Sequence, residues 1–263
     1  MPSAFDDEDF SALIDTLDRY IRERLMPLEK VVEETATVPA EIIDEMREMG
    51  LFGLSIPQQY GGFELDVVQE TRVQMLFSGT SQAFRLAFWP NVGIGSRGIV
   101  YGGTEAQKQR YLPGLASGEL RAAFCLTEPD AGSDAANIRT VAVRDGDDFL
   151  ISGTKRFITN APHADIFTVM ARSDAGKTGA DGISAFIVEK GTPGLSIGKP
   201  EHKLGQRGAP ICDVILDQVR VPAANVIGGA AAEGKGFRIA MQVLDSGRIG
   251  VAGSAVGMMK RII

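Results

Sequence analysis

Apolar residues fall at helical spacing through the first part of this chain and in strand-like runs through its middle. Phe10, Leu13, Ile14, Leu17, Ile21 and Leu25 recur every three or four positions with charges between them, which predicts a helix over 10–25 that Pro27 limits. Ile42, Ile43, Met46 and Met49 make the apolar face of a second helix, with Pro39 at its first position and Gly50 just past its end. Pro57 to Gly62 reads as a turn, and two more helices are predicted over about 66–78 and 81–101. Thr104, with Gln107 three residues on, has the form of a capping box and predicts a helix reaching Tyr111 or a little beyond, near Pro113.

From Arg121 the texture changes. Ala122–Leu126, Arg139–Arg144, Phe149–Ile158, Ile166–Arg172, Ile183–Glu189 and Ile211–Val221 read as strands, with Asp145-Gly146 as a hairpin turn. Short strands joined this way point to an antiparallel barrel or sandwich and away from a βαβ sheet. Pro222–Gly236 is rich in Ala and Gly and reads as a linker, and a last helix is predicted from Gly236 to the final residue. Gly247, Gly250, Gly253 and Gly257 lie inside it. Each glycine costs a helix interior roughly 1 kcal/mol, so the group predicts a neighbouring helix at close approach. The class is α+β, with a helical domain over 1–120, a β-domain over 121–228 and the start of a further helical domain over 229–263.

Composition removes several function classes. A formal charge of −7 on 263 residues disfavours nonspecific binding to nucleic acid or anionic membranes. No apolar run approaches the roughly 20 residues of a membrane span. The acidic start at Asp6, Asp7, Glu8 and Asp9 is unlike a secretory or transit leader. Cys125 and Cys212 sit in apolar runs and read as buried free thiols. His163 and His202 are far apart and there is no CxxC pair, so no metal site is expected. Gly93 to Gly98 fits GxGxxG literally, but no strand precedes it, and it is not read as a dinucleotide fingerprint.

The chemistry concentrates in Phe124-Cys125-Leu126-Thr127-Glu128-Pro129-Asp130-Ala131-Gly132-Ser133-Asp134 and in Phe157-Ile158-Thr159-Asn160. An apolar strand runs into a turn set by Pro129 and Gly132, where backbone N–H groups can face one concavity beside the hydroxyls of Thr127 and Ser133. Strand alternation predicts Phe157 and Thr159 on one face, an aromatic next to a hydroxyl. Together the two blocks could wrap a flat redox ring and its phosphate tail.

These blocks resemble the flavin-cradling motifs of the acyl-CoA dehydrogenase family. There an aromatic-Cys-aliphatic-Thr-Glu-Pro-x-Ala-Gly-Ser-Asp segment precedes an aromatic-Ile-Thr-Asn strand. The resemblance covers nearly the whole chain and extends to Leu204–Gly208, Val219–Gly228 and Leu244–Arg248. It implies an all-α N-terminal domain, an antiparallel β-barrel middle domain and the first helix of a C-terminal four-helix bundle. It also implies FAD, lying along Phe124, Leu126, Thr127, Ser133, Phe157, Ile158 and Thr159, with Phe157 packed on the isoalloxazine and Thr159 at N5. The implied substrate is an acyl-CoA in a channel formed by Ser133, Asp245, Ser246, Gly247 and Arg248. Asp245 and Arg248, three apart on a helix, share a face and can pair.

The implied reaction is oxidation of the thioester to the trans-2-enoyl-CoA, with a proton passing to a carboxylate and hydride to flavin N5. Implied partners are an electron-transferring flavoprotein and identical subunits, as a dimer or tetramer, in cytoplasmic lipid metabolism. This chain departs from the family where Phe124 replaces a frequent Tyr, Phe157 a frequent Trp and Asp130 a frequent Gly. Most members carry the catalytic Glu in the C-terminal helical domain, expected beyond residue 263. A minority carry it at the position of Gly247, which has no carboxylate. Glu128, in the flavin loop, is expected to be structural, so the chain alone is expected not to dehydrogenate. The alternatives are a flavin oxidase or monooxygenase on the same scaffold, and a non-catalytic subunit of a mixed oligomer.

Overall fold

The structure is a computed structural model and describes residues 6–263. Its helical part opens with α1 (Asp7–Tyr20), whose first turn is capped by the Asp6 carboxylate accepting from the Glu8 and Asp9 amides. The helix expected to run to Leu25 instead widens into a π turn at Ile21–Leu25, and Pro27 sits in a short 3₁₀ turn. A helix absent from the sequence reading, α2 (Glu29–Thr35), follows. Next come α3 (Ala40–Glu48), with Pro39 just before it and Gly50 past its end at φ +69°, and then α4 (Val67–Phe77).

The helix expected over 81–101 is two helices, α5 (Gln82–Pro90) and α6 (Arg97–Gly102). Between them Asn91–Gly95 forms a π turn in which Gly93 leaves helical geometry. Asn91 gives this break a structural use. Its amide donates to the Leu115 and Leu120 carbonyls, and its oxygen accepts from the Ala122 amide at the start of the sheet. The capping box at Thr104 and Gln107 is present and opens α7 (Glu105–Ser117).

The β-domain is one curled sheet of β1 (Ala122–Cys125), β2 (Val141–Asp145), β3 (Asp148–Thr159), β4 (Ile166–Arg172), β5 (Ile183–Glu189), β6 (Leu195–Ile197) and β7 (Ile211–Pro222). The pairs β2–β3, β3–β7, β6–β7 and β4–β5 are antiparallel. β1 runs parallel to β4, and β2 meets the far end of β4 where Val141 lies opposite Arg172. Among the described residues no ladder joins β5 to β6, so the barrel-like domain is an open half-barrel. β4 and β5 are buried on both faces, which explains their nearly unbroken apolar runs. Phe149 and Phe186 pack edge-to-face inside the curl at 5.1 Å, and both cysteines are buried. Ile166, Met170 and Ile187 face the helices on the other side.

The last helix, α8 (Gly236–Ile262), lies against α4. A Cβ added at Gly250 would stand 2.1 Å from Gln74 Oε1, at Gly253 2.5 Å from Thr71 Cγ2, and at Gly257 2.1 Å from the Met75 carbonyl oxygen. The close helix contact predicted by these glycines is therefore made. Gly247 is different, because a Cβ there would meet only Ile94 Cγ2 at 3.9 Å. No helix among the described residues is long and apolar enough to cross a membrane.

Candidate active site

Two links join the loop after β1 to the tip of β3. The Arg156 amide donates to the Thr127 carbonyl at 2.8 Å. Beneath it Lys155, with 0% exposure, donates to Glu128 Oε1 at 2.7 Å and to the Leu126 carbonyl at 3.2 Å. Glu128 Oε1 also accepts from the Thr140 amide and hydroxyl, and its Oε2 from the Arg139 amide at 2.6 Å. Burial alone would push the Glu128 carboxyl up, but Lys155 and these donors outweigh it and hold the group below the usual carboxylate range. Both oxygens are engaged, so Glu128 fastens the loop, the structural place expected of it. Asp130 lies at the surface and pairs with Arg139 at 2.9 Å.

Phe157 stands out in the tip. The β3–β7 register slips between Lys155 and Ile158, and Phe157 sits in the slip at φ +58°. That left-handed conformation costs a residue with a Cβ roughly 1–2 kcal/mol. The ring is 52% exposed, with the Arg156 guanidinium 5.0 Å from its centroid. Simple alternation does not operate across such a bulge, so the slip sets the direction of the Phe157 ring. Ile158 is buried in the interior of the curl. Asn160 anchors the tip by donating its side-chain amide to the Leu86 carbonyl of α5 at 2.6 Å. Among the described residues the hydroxyls of Thr127, Ser133 and Thr159 make no hydrogen bond to protein. An aromatic presented to solvent in a costly backbone conformation, with the free Thr159 hydroxyl two residues on and Thr127 tied to the same tip, could hold a flat ligand that carries acceptors. Phe124 and Leu126 are buried between β1 and the helices, Thr127 is half-buried and Ser133 is exposed.

A cavity of about 380 Å³ opens between α4, α5, α8 and the tip of β3. Thr159, Ser246, Gly247 and Arg248 meet in its wall. Asp245 lies outside the wall and pairs with Arg248 at 2.6 Å on the surface, and Ser133 and Phe157 are also outside it. Glu70, Gln74, Arg85, Trp89 and Arg97 complete the wall from the helical side. Glu70 and Arg97 form a buried ion pair. Burial pushes the Glu70 carboxyl up to about 7, against the attraction of the Arg97 guanidinium. Periodicity in α4 and α5 marks these residues as helical and not as part of a site. The available signal was a charge inside an apolar helix, with Arg85 between Phe84 and Leu86.

A helical layer, a half-barrel and a final helix thus meet around a mostly apolar cavity, with an exposed aromatic at the tip of β3. The sequence profile "Acyl-CoA dehydrogenase, N-terminal domain" matches residues 7–119, and "Acyl-CoA dehydrogenase, middle domain" matches residues 123–219. The chain belongs to the acyl-CoA dehydrogenase family. It is 42% identical over 239 residues to an acyl-CoA dehydrogenase of Bacillus subtilis (strain 168), an overlap of 91% of this chain and 62% of that protein. The structure resembles butyryl-CoA dehydrogenase from Megasphaera elsdenii, with TM-score 0.88 and 36% identity over 99% of this chain and 68% of that one. It also resembles glutaryl-coenzyme A dehydrogenase in its glutaryl-CoA complex, with TM-score 0.90 and 31% identity over 99% of this chain and 66% of that one.

Proposed function

We propose that this chain supplies the flavin- and thioester-binding part of an FAD-dependent dehydrogenase that oxidises an acyl-CoA to its trans-2-enoyl-CoA. One observation carries the reading: the loop after β1 is tied to the tip of β3, and Thr159 at that tip shares a cavity with Ser246, Gly247 and Arg248. FAD, when bound, supplies the hydride acceptor. Thr127 and Ser133 donate hydroxyl hydrogen bonds to it, Phe157 packs on its ring and Thr159 donates at its reacting edge. Phe124, Leu126 and Ile158 back this wall with apolar surface that keeps water out. Gly247 leaves room beside Ile94 for an acyl chain.

Removing the α-proton requires a carboxylate. Glu70 is the carboxylate on the cavity wall among the described residues, and Arg97 engages it. The base is therefore assigned to the part of the full-length relatives that this chain does not span. Exposed Ile249, Met259 and Ile262 on α8 suit burial against further helices and identical subunits. The electron acceptor is assigned as an electron-transferring flavoprotein.

Titrating the chain with FAD and following flavin fluorescence tests the core of this reading. Uptake should occur and weaken in Phe157→Ala and Thr159→Ala, and a folded chain that takes up no FAD ends the proposal. Mixed anaerobically with saturated acyl-CoAs, the FAD-loaded chain should keep its flavin oxidised, whereas a relative with the further helical part should bleach. Rapid bleaching by the chain alone would refute the assignment of the base. Rapid oxygen consumption once the bound flavin is reduced would favour an oxidase.

A further inference from the structure

Four charged side chains line the cavity, namely Glu70, Arg85, Arg97 and Arg248. Glu70 and Arg97 satisfy each other, and Arg248 has Asp245. Arg85 is left over. It is only 8% exposed, and among the described residues no carboxylate lies within ion-pair distance of it. Its one protein hydrogen bond runs from Nε to Gln82 Oε1 at 2.9 Å. Gln82 is itself held, donating to the Ser78 carbonyl at 3.3 Å and accepting from the Ser254 hydroxyl at 3.3 Å. The stem of the guanidinium is thus tethered, while its two terminal nitrogens have no protein acceptor.

Burial lowers the Arg85 pKa to about 10, so the group remains a cation at neutral pH. A desolvated cation without a counter-ion is unfavourable, and a guanidinium fork matches a carboxylate with two parallel N–H bonds. The surrounding wall is mostly apolar, from Leu86, Trp89, Ile94, Leu244 and Val251. A neutral acyl chain would leave this cation facing hydrocarbon.

Resting on the acyl-CoA reading above, we propose that Arg85 receives a carboxylate at the far end of the acyl chain, so that the preferred substrate is a mono-CoA thioester of a dicarboxylic acid. The solved relatives described above act on a butyryl and on a glutaryl thioester, so overall likeness does not choose between neutral and anionic chains. The lone guanidinium does. The phosphates of CoA are the other possible source of an anion, and free CoA separates the two.

Calorimetric titration of the FAD-supplemented chain with glutaryl-CoA, pentanoyl-CoA and free CoA tests this. The two thioesters have the same carbon count and differ in the terminal carboxylate. Glutaryl-CoA should bind at least about tenfold more tightly than pentanoyl-CoA. Arg85→Met should erase that ratio while pentanoyl-CoA binds as well or better, with circular dichroism confirming the fold. Arg85→Lys, which keeps the charge but loses the fork, should retain a reduced preference and serves if the Met variant does not fold.

Equal affinities in the wild type, with both thioesters tighter than CoA, would overturn the role of Arg85 and leave the acyl-CoA reading intact. A preference that survives Arg85→Met, or in the absence of that variant an undiminished preference in Arg85→Lys, would overturn it too. A parallel loss of free CoA affinity would assign Arg85 to the phosphates and end the proposal. If neither thioester exceeds CoA, both readings fall.

Discussion

Lys155 and Arg85 are both cations inside this protein, and their surroundings are opposite. Lys155 touches a carboxylate and a backbone carbonyl, and that carboxylate is itself bonded to Thr140 and Arg139. Arg85 touches one amide oxygen and faces a cavity. Burial alone therefore says little about what a charge is for. A completed set of partners marks a structural fastener, whereas an incomplete set marks a place kept for something that arrives later.

The sharpest way to break this contrast is Lys155→Met. It strands Glu128 as a buried unpaired carboxylate and should cost about 3–5 kcal/mol in urea unfolding, with FAD uptake lost as the loop detaches. A cost below about 1 kcal/mol would mean that the pair fastens nothing. Next in size is Gly257→Ala, which drives a Cβ to 2.1 Å from the Met75 carbonyl and should destabilise by about 1–3 kcal/mol. Gly247→Ala, with only Ile94 at 3.9 Å, should instead gain up to about 1 kcal/mol from helix propensity. Arg85→Met should leave the ligand-free chain unchanged or more stable by up to about 1 kcal/mol, because it removes a cation that no carboxylate compensates. A loss as large as that of Lys155→Met would erase the distinction.

The smallest effects lie in pH dependence, where the two buried carboxyls have opposite signs. The folded pKa of Glu128 is depressed, so its stabilisation is present above the ordinary value of 4.5 and fades as pH falls through the lowered value. Glu70 is raised to about 7, so its contribution is greatest below 4.5 and is lost as pH climbs through about 7. Urea midpoints followed against pH should lose the acid-side slope in Glu128→Gln and the slope between those two values in Glu70→Gln.

The β side of the site was largely legible in the sequence. Thr127, Glu128 and Phe157–Asn160 are contiguous blocks whose residue types announce a turn and a strand tip, and the structure ties them together. The direction of Phe157 was not legible, because a one-residue slip in register leaves no mark on a pattern of apolar and polar positions. The breaks at Ile21–Leu25 and Asn91–Gly95 were hidden for a similar reason, since a π turn preserves much of the helical spacing on either side. β6 spans Leu195–Ile197 only and is too short to show alternation. The helical wall of the cavity comes from residues far apart in the chain, and Glu70 meeting Arg97 or Gln82 meeting Ser254 is a fact of packing that local pattern cannot supply.

The seam between α4 and α8 has a mechanical consequence. Gly250 and Gly253 seat the Gln74 and Thr71 side chains of α4, and at Gly257 the two backbones meet directly, so the helices are geared together and a shift of one must drag the other. Glu70 and Gln74 ride on α4, while Ser246 and Arg248 ride on α8. Whatever grips the outer face of α8 therefore also sets the bore of the cavity that the two helices share.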